Sequence, residues 1–283
     1  MSEREISRVI PAIDSEDGAG VKLKRSLGRN PSTRVDPFLM LDAFSSDNPD
    51  DYIAGFPPHP HRGFETVTYM LDGHMIHRDH MGNEGELGAG GVQWMTAGRG
   101  VIHEERPQQV DGLMRGFQLW INLPADEKMK PAAYQNIEPE QVPAFEPEPG
   151  VKIKLIAGKL EAQGSTIAGP VQAESTTPLY MDLTLQAGIS YSFPVEKEHN
   201  ALVYLFGGSA RLNGQALGLE SASVLTQGGV ITIAADVEPA RMLVLAGKPL
   251  NEPVAQYGPF VMNTMDEVEQ AIQDYRSGRL TDT

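Results

Sequence analysis

Between Val35 and Pro124 the chain repeats one pattern, in which short apolar or alternating runs are broken by turn residues. "PFLMLDAF", "ETVTYMLDG", "VQWMTAG" and "GFQLWINLP" each read as a strand whose side chains alternate between two faces. Turn signals at Asp72-Gly73 and near Gly82-Asn83 predict hairpins. The stretch "NIEPEQVPAFEPEPG", residues 136–150, interrupts the pattern; rich in Glu and Pro and poor in apolar residues, it reads as an inter-domain linker. Strand-like runs then resume in "VKIKLIAG", "PLYMDLTLQAG", "ALVYLFGGSARLNG", "ASVLTQGGVITIAA" and "ARMLVLAG". A helical period appears only in "NTMDEVEQAIQDYRSGRL", where Asn263 or Thr264 caps and Val268, Ile272 and Tyr275 share a face. The pattern predicts an all-β chain with a C-terminal α-helix. It divides into residues 1–135, a linker at 136–150, and a second domain at 151–283.

The two halves read as weak repeats. When Tyr69 is set on Tyr204, Gly73 falls on Gly208, and "GVIHEE" lies against "GVITIA". The apolar framework is shared and the polar residues are not. His59 and His61 meet Pro194 and Glu196, while His103 and Glu105 meet Thr232 and Ala234. Chemistry is therefore expected in the first copy alone.

Composition narrows that chemistry. The chain has no cysteine, so disulfides, thiolate metal sites and a cysteine nucleophile are excluded, and a metal would need histidine and carboxylate. A net charge of -15 without a Lys/Arg cluster argues against nucleic acid and anionic membranes, and suits a basic protein partner. No apolar run reaches the roughly 20 residues of a membrane-spanning helix. The opening "MSEREISRVIPAIDSEDGAG" lacks the apolar segment of a signal peptide, so a cytoplasmic location is expected.

Two of the seven histidines, His59 and His61, stand two apart in "GFPPHPHRGFETVTYMLDG". On a strand such residues project to one face, with α-carbons about 6 to 7 Å apart, close enough for two imidazoles to converge on one ion. Pro57, Pro58 and Pro60 would hold that strand extended at an edge or entrance. His103 and Glu105 repeat the spacing after "TAGRG", with Glu104 directed the other way. Two such strands would deliver three imidazoles and one carboxylate to a single point. That donor set suits Fe, Mn, Ni, Co or Cu, with Zn also admissible, and leaves positions open for a ligand. Glu65 shares the parity of His61 and is the competing carboxylate, or else a hydrogen-bond partner of a ligand histidine. His74, His77 and His80 flank a polar hairpin and read as exposed, with His77 nearest the pocket entrance; His199 reads as a surface histidine. Met70, Trp94, Met95, Gln118 and Trp120 could line a slot for a flat substrate.

Taken together, "DPFLMLDAF", "GFPPHPHRGFETVTYML", "QWMTAGRGVIHEE" and "YGPFVMNT" resemble the pirin family of bicupins over nearly the whole chain. The resemblance implies two jelly-roll-like cupin β-barrels packed face to face, with the C-terminal helix packing on the first. It also implies one non-haem iron, as Fe(II), in the N-terminal barrel only. The family's ligand pattern falls on His59, His61, His103 and Glu105, whereas cupins at large use a carboxylate at the Glu65 position. Gly98 stands where the wider cupin pattern often has proline. Some pirin-like proteins are quercetin 2,3-dioxygenases, which implies a small aromatic substrate, dioxygen and a proton-accepting role for Glu105. Others resemble metal- and redox-dependent regulators that bind a protein partner.

Overall fold

Alternating strands bury one face each, and here they do so in two units. The structure, a computed structural model, describes residues 2–162 and 164–282. One compact unit comprises Ile13–Arg25, Phe38–Pro139 and Leu250–Thr283; the other comprises Met1–Ala12, Ser26–Pro37 and Glu140–Pro249. Neither is continuous in sequence, and the crossing at Pro139 and Glu140 falls inside the Glu/Pro-rich stretch.

Each unit contains a seven-stranded and a four-stranded antiparallel sheet instead of one continuously bonded barrel. In the first, the larger sheet runs in the order Ala133–Ile137, Val92–Thr96, Phe64–Asp72, Met114–Asn122, Phe38–Ser46, Val21–Leu27, Ile13–Asp17. Its smaller sheet runs Phe56–His61, Val101–Pro107, Met75–Asp79, Glu84–Leu87. The proline-rich strand Phe56–His61 is an edge strand, the position where missing N–H groups cost least. The turn at Asp72-Gly73 differs from the sequence expectation. It carries the chain from one sheet to the other, because Phe64–Asp72 and Met75–Asp79 do not pair. The Gly82-Asn83 turn does close a hairpin, with Arg78 opposite Glu84.

The other unit packs both of its sheets around one apolar core. Ile153, Leu155, Met181, Leu183, Val203 and Met242 meet Phe193, Ile231 and Ile233 there. The N-terminal strand Ile6–Pro11 is the edge of its larger sheet, paired with Ser221–Leu225. Arg4, fully buried, donates to the carbonyls of Gly228, Thr226, Glu196, Lys197 and His199. His199 is 9% exposed and within 3.2 Å of Thr177 Oγ1, so it is not a surface histidine.

The helix Met265–Arg276 begins at Thr264, whose hydroxyl accepts from Glu267 N while the Glu267 carboxylate accepts from Thr264 N. Val268 and Ala271 are buried, Ile272 packs beside them, and Tyr275 is 40% exposed. Among the described residues no helix is long and apolar enough to cross a membrane.

Around the two strands that carry His61 and His103, the C-terminal segment supplies the anchors. Lys128 Nζ is buried and donates to Gly63 O (2.7 Å), Asn122 Oδ1 (2.6 Å) and Val261 O (3.1 Å), which uses all three N–H groups. Burial pulls its pKa down to about 8. Arg62 donates to Arg99 O and Leu280 O and pairs with Asp274 at 2.8 Å. Gly63 has φ +91, and a Cβ there would stand 2.0 Å from Val261 O, a backbone atom that cannot swing away. Gly82 has a similar φ of +83 but open space around it. We expect Gly82→Ala to cost about 1–2 kcal/mol, from backbone strain alone. Gly63→Ala should cost about 3–5 kcal/mol, because the clash adds to the strain. Urea unfolding of the two variants checks this; equal losses would mean that Val261 does not press on Gly63.

Candidate metal centre

The register between Phe56–His61 and Val101–Pro107 sets the site. His103 lies opposite His59, and Val101 lies opposite His61. Same-face spacing on each strand then brings His59, His61 and His103 together, each offering one ligand atom and all three atoms lying within 4.8 Å of one another. His59 Nε2 and His61 Nε2 are 3.0 Å apart. The back of the His59 ring is engaged at 2.9 Å by Pro57 O, an acceptor only, so Nδ1 carries the proton and Nε2 presents its lone pair. His103 Nε2 is buried with no hydrogen-bond partner. A buried, unpaired imidazole nitrogen aimed into a cluster of others fits a cation and little else.

Glu105, two residues beyond His103, lies outside that tight cluster. Its carboxylate accepts from Thr68 Oγ1 (3.1 Å) and Gln118 Nε2 (3.2 Å), and Gln118 Oε1 accepts in turn from Trp120 Nε1 (3.3 Å). Glu104 points the other way, to Arg106 at 2.8 Å and Arg78 at 3.7 Å. Glu65 is placed on the opposite face of its sheet from Thr66 and Thr68, with Oε1 accepting from Thr96 Oγ1 at 2.6 Å. The parity argument that joined it to His61 fails because the chain breaks at Gly63, φ +91, between the two strands. Trp94 shares the face of Glu65 and Thr96, whereas Met70, Met95, Gln118 and Trp120 share that of Thr68. Trp120 and Phe64 set their rings edge-on to His61, at 5.3 and 5.1 Å between centroids.

His77, like His199, is a residue that sequence reasoning misplaced. It is 2% exposed, its Nδ1 is 3.3 Å from His103 Nδ1, and its ring stacks on Tyr134 at 4.4 Å. The missed signal was its parity with Met75 in a strand whose polar residues suggested a surface hairpin. His80 is exposed and His74 partly so.

Comparison with known proteins accords with this geometry. The Pirin family profile matches residues 20–121, and the Pirin C-terminal cupin domain matches residues 180–281. A Pseudomonas aeruginosa protein named "Putative quercetin 2,3-dioxygenase" is 50% identical over 98% of both chains. The chain belongs to the pirin family. Human pirin is 37% identical to it over 98% of this chain and 94% of its own. A crystal structure of quercetin 2,3-dioxygenase from Acinetobacter baumannii superimposes with a TM-score of 0.90 at 33% identity, covering 99% of both chains. This pirin family member thus consists of two cupin domains, mostly strand, with one C-terminal helix.

In the pirin site the two buried imidazoles, His61 and His103, are kept neutral. Burial lowers the pKa of His61 and of His103 well below 6.5, and the neighbouring histidines push in the same direction. Neutral rings are what a metal requires. The linkage follows in sign: below pH 6.5 the unfolded chain takes up protons that the folded one refuses. Metal-stripped protein should therefore be stable above that pH and lose up to about 1.4 kcal/mol per histidine for each unit below it. Urea unfolding at several pH values tests this, with His103→Leu expected to flatten the slope.

Proposed function

We propose that this pirin is a metal-dependent dioxygenase acting on flavonols such as quercetin or a related enediol. The observation that carries the reading is the convergence of three imidazoles, one with an orphaned Nε2, on the strand face that also presents the Glu105 carboxylate. His59, His61 and His103 would hold the ion, with Glu105 as fourth ligand or nearby base; membership of the pirin family points to Fe(II), and the donor set would equally fit Ni, Mn, Co, Cu or Zn. A bound divalent ion would supply Lewis acidity and electron transfer for the addition of dioxygen to the flavonol, the products being carbon monoxide and a depside.

The chain's own residues do the rest. Glu105 accepts the 3-hydroxyl proton of the flavonol, and Thr68 and Gln118 orient its two oxygens for that transfer. Trp120 holds Gln118 in the amide orientation that donates to Glu105, because Oε1 is taken by the indole N–H. Phe64 and Trp120 present apolar surface beside His61, which limits water near the reacting oxygens.

The decisive experiment is dioxygen uptake by protein loaded in turn with each metal, in the presence of quercetin. Wild type should consume dioxygen and His61→Ala should fall to background. Glu105→Gln should lose about 10²- to 10⁴-fold in kcat/KM, whereas Glu104→Gln, on the opposite face among arginines, should stay within about twofold. Metal-loaded protein that consumes no dioxygen with any flavonol would overturn the enzyme reading and favour a metal-dependent protein-binding role.

A further inference from the structure

The most demanding group near the site is His77, which is too buried to serve as a surface residue and is not one of the converging ligands. Its strand, Met75–Asp79, pairs with the ligand strand so that Glu105 lies opposite His77 and His103 opposite Asp79. The two histidine rings meet through their Nδ1 atoms at 3.3 Å. One of those nitrogens must donate and the other accept. If His103 is to offer the Nε2 lone pair, its proton sits on Nδ1, and His77 Nδ1 must then accept. That choice puts the His77 proton on Nε2. The carboxylate of Asp79, its side chain fully buried, stands 3.8 Å from that nitrogen, near enough for charge attraction but beyond hydrogen-bond distance, so Nε2 has no hydrogen-bond partner.

The groups around His77 fix its ring, and the buried Asp79 charge favours the proton on the side facing it. Asp79 is itself held by Met81 N, Asn83 N and Asn83 Nδ2, which fix the carboxylate at the turn. Tyr134 stacks on the His77 ring at an interplanar angle of 13°. Opposite His77 on the next strand is Gly85, where a Cβ would stand 2.0 Å from the Tyr134 hydroxyl. The glycine leaves the room that Tyr134 occupies. A histidine kept only to fill space would need neither an oriented carboxylate nor a nitrogen aimed at another imidazole.

We propose that His77, backed by Asp79 and Tyr134, is a positioning residue that selects the Nδ1–H tautomer of His103 and so aims its Nε2 at the metal. This rests on the metal-site reading above. A partner that orients a ligand imidazole typically contributes about 10- to 100-fold in metal affinity.

The test uses Co(II), with affinity measured by chelator competition and geometry by the visible d–d spectrum. His77→Leu removes the acceptor and keeps an apolar filling; it should weaken Co(II) binding about 10- to 100-fold and alter the spectrum. His77→Gln restores an acceptor oxygen and should recover most of the affinity. Wild-type affinity in His77→Leu, or equal losses in the two variants, would overturn the proposal, since a packing role favours Leu over Gln. Should His77→Leu fail to fold, long-range proton–nitrogen spectra of metal-free wild type read the tautomer directly: His103 protonated on Nδ1 supports the proposal, and on Nε2 overturns it. His103→Ala separates the two levels. Undiminished Co(II) binding there sinks the metal site itself, whereas its loss beside an unaffected His77→Leu sinks only the role of His77.

Discussion

Three imidazoles gathered within 4.8 Å, two of them out of reach of water, form the constraint on which this structure turns. To bind one ion such rings must aim their lone pairs at a single point, so the protein must hold each one at a set rotation. Burial keeps His61 and His103 neutral. Rotation is held from behind: Pro57 O engages His59, and the His77 ring abuts His103. The edge strand Phe56–His61 can carry three prolines because little of its outer side needs a donor.

Rigidity of that order has to come from the surrounding chain. The two ligand strands are bounded by Gly63 and Gly100, and a Cβ at these positions would meet Val261 O and Leu280 O respectively. Both carbonyls belong to the C-terminal segment. Lys128 ties Val261 to the strand end at Gly63, and Arg62 ties Leu280 to Arg99, the residue before Gly100. A stretch more than 150 positions away in sequence thereby clamps the backbone on either side of the site. The clamp is polar and directional, so it specifies one register where apolar packing alone would tolerate small slips.

The second cupin shows the same framework without the constraint. Its strands Ser190–Pro194 and Val230–Ala235 pair so that Thr232 faces Ser192 and Val230 faces Pro194. The position equivalent to His59 is therefore Ser192, two residues from the Pro194 that sequence matching assigned. Ser192 and Thr232 hydrogen-bond to each other at 2.8 Å on the outer face, while Tyr191, Phe193, Ile231 and Ile233 turn inward. Aromatic and branched side chains fill the space between these two strands and the larger sheet. That unit is a packed core where the first holds a site.

Local periodicity determined a good deal by itself. Alternation marked the strands, a cap at Asn263 or Thr264 and an apolar face marked the C-terminal α-helix, and the spacing of His59 with His61 and of His103 with Glu105 put each pair on one face of its strand. The absence of cysteine narrowed the donors to nitrogen and oxygen. Tertiary structure alone decided what depends on a break in the period or on a distant partner. A left-handed glycine at position 63 turned Glu65 away from the site, and pairing opposite Val67 did the same for Trp94, which no count by twos could foresee. His77 was buried by Tyr134 and Gly85, residues that become its neighbours only when separate strands pair. The placement of Ile6–Pro11 in one unit and Leu250–Thr283 in the other followed the same rule. Alternation records which face a side chain takes within its own strand, but hydrogen-bonded register between strands chooses its company.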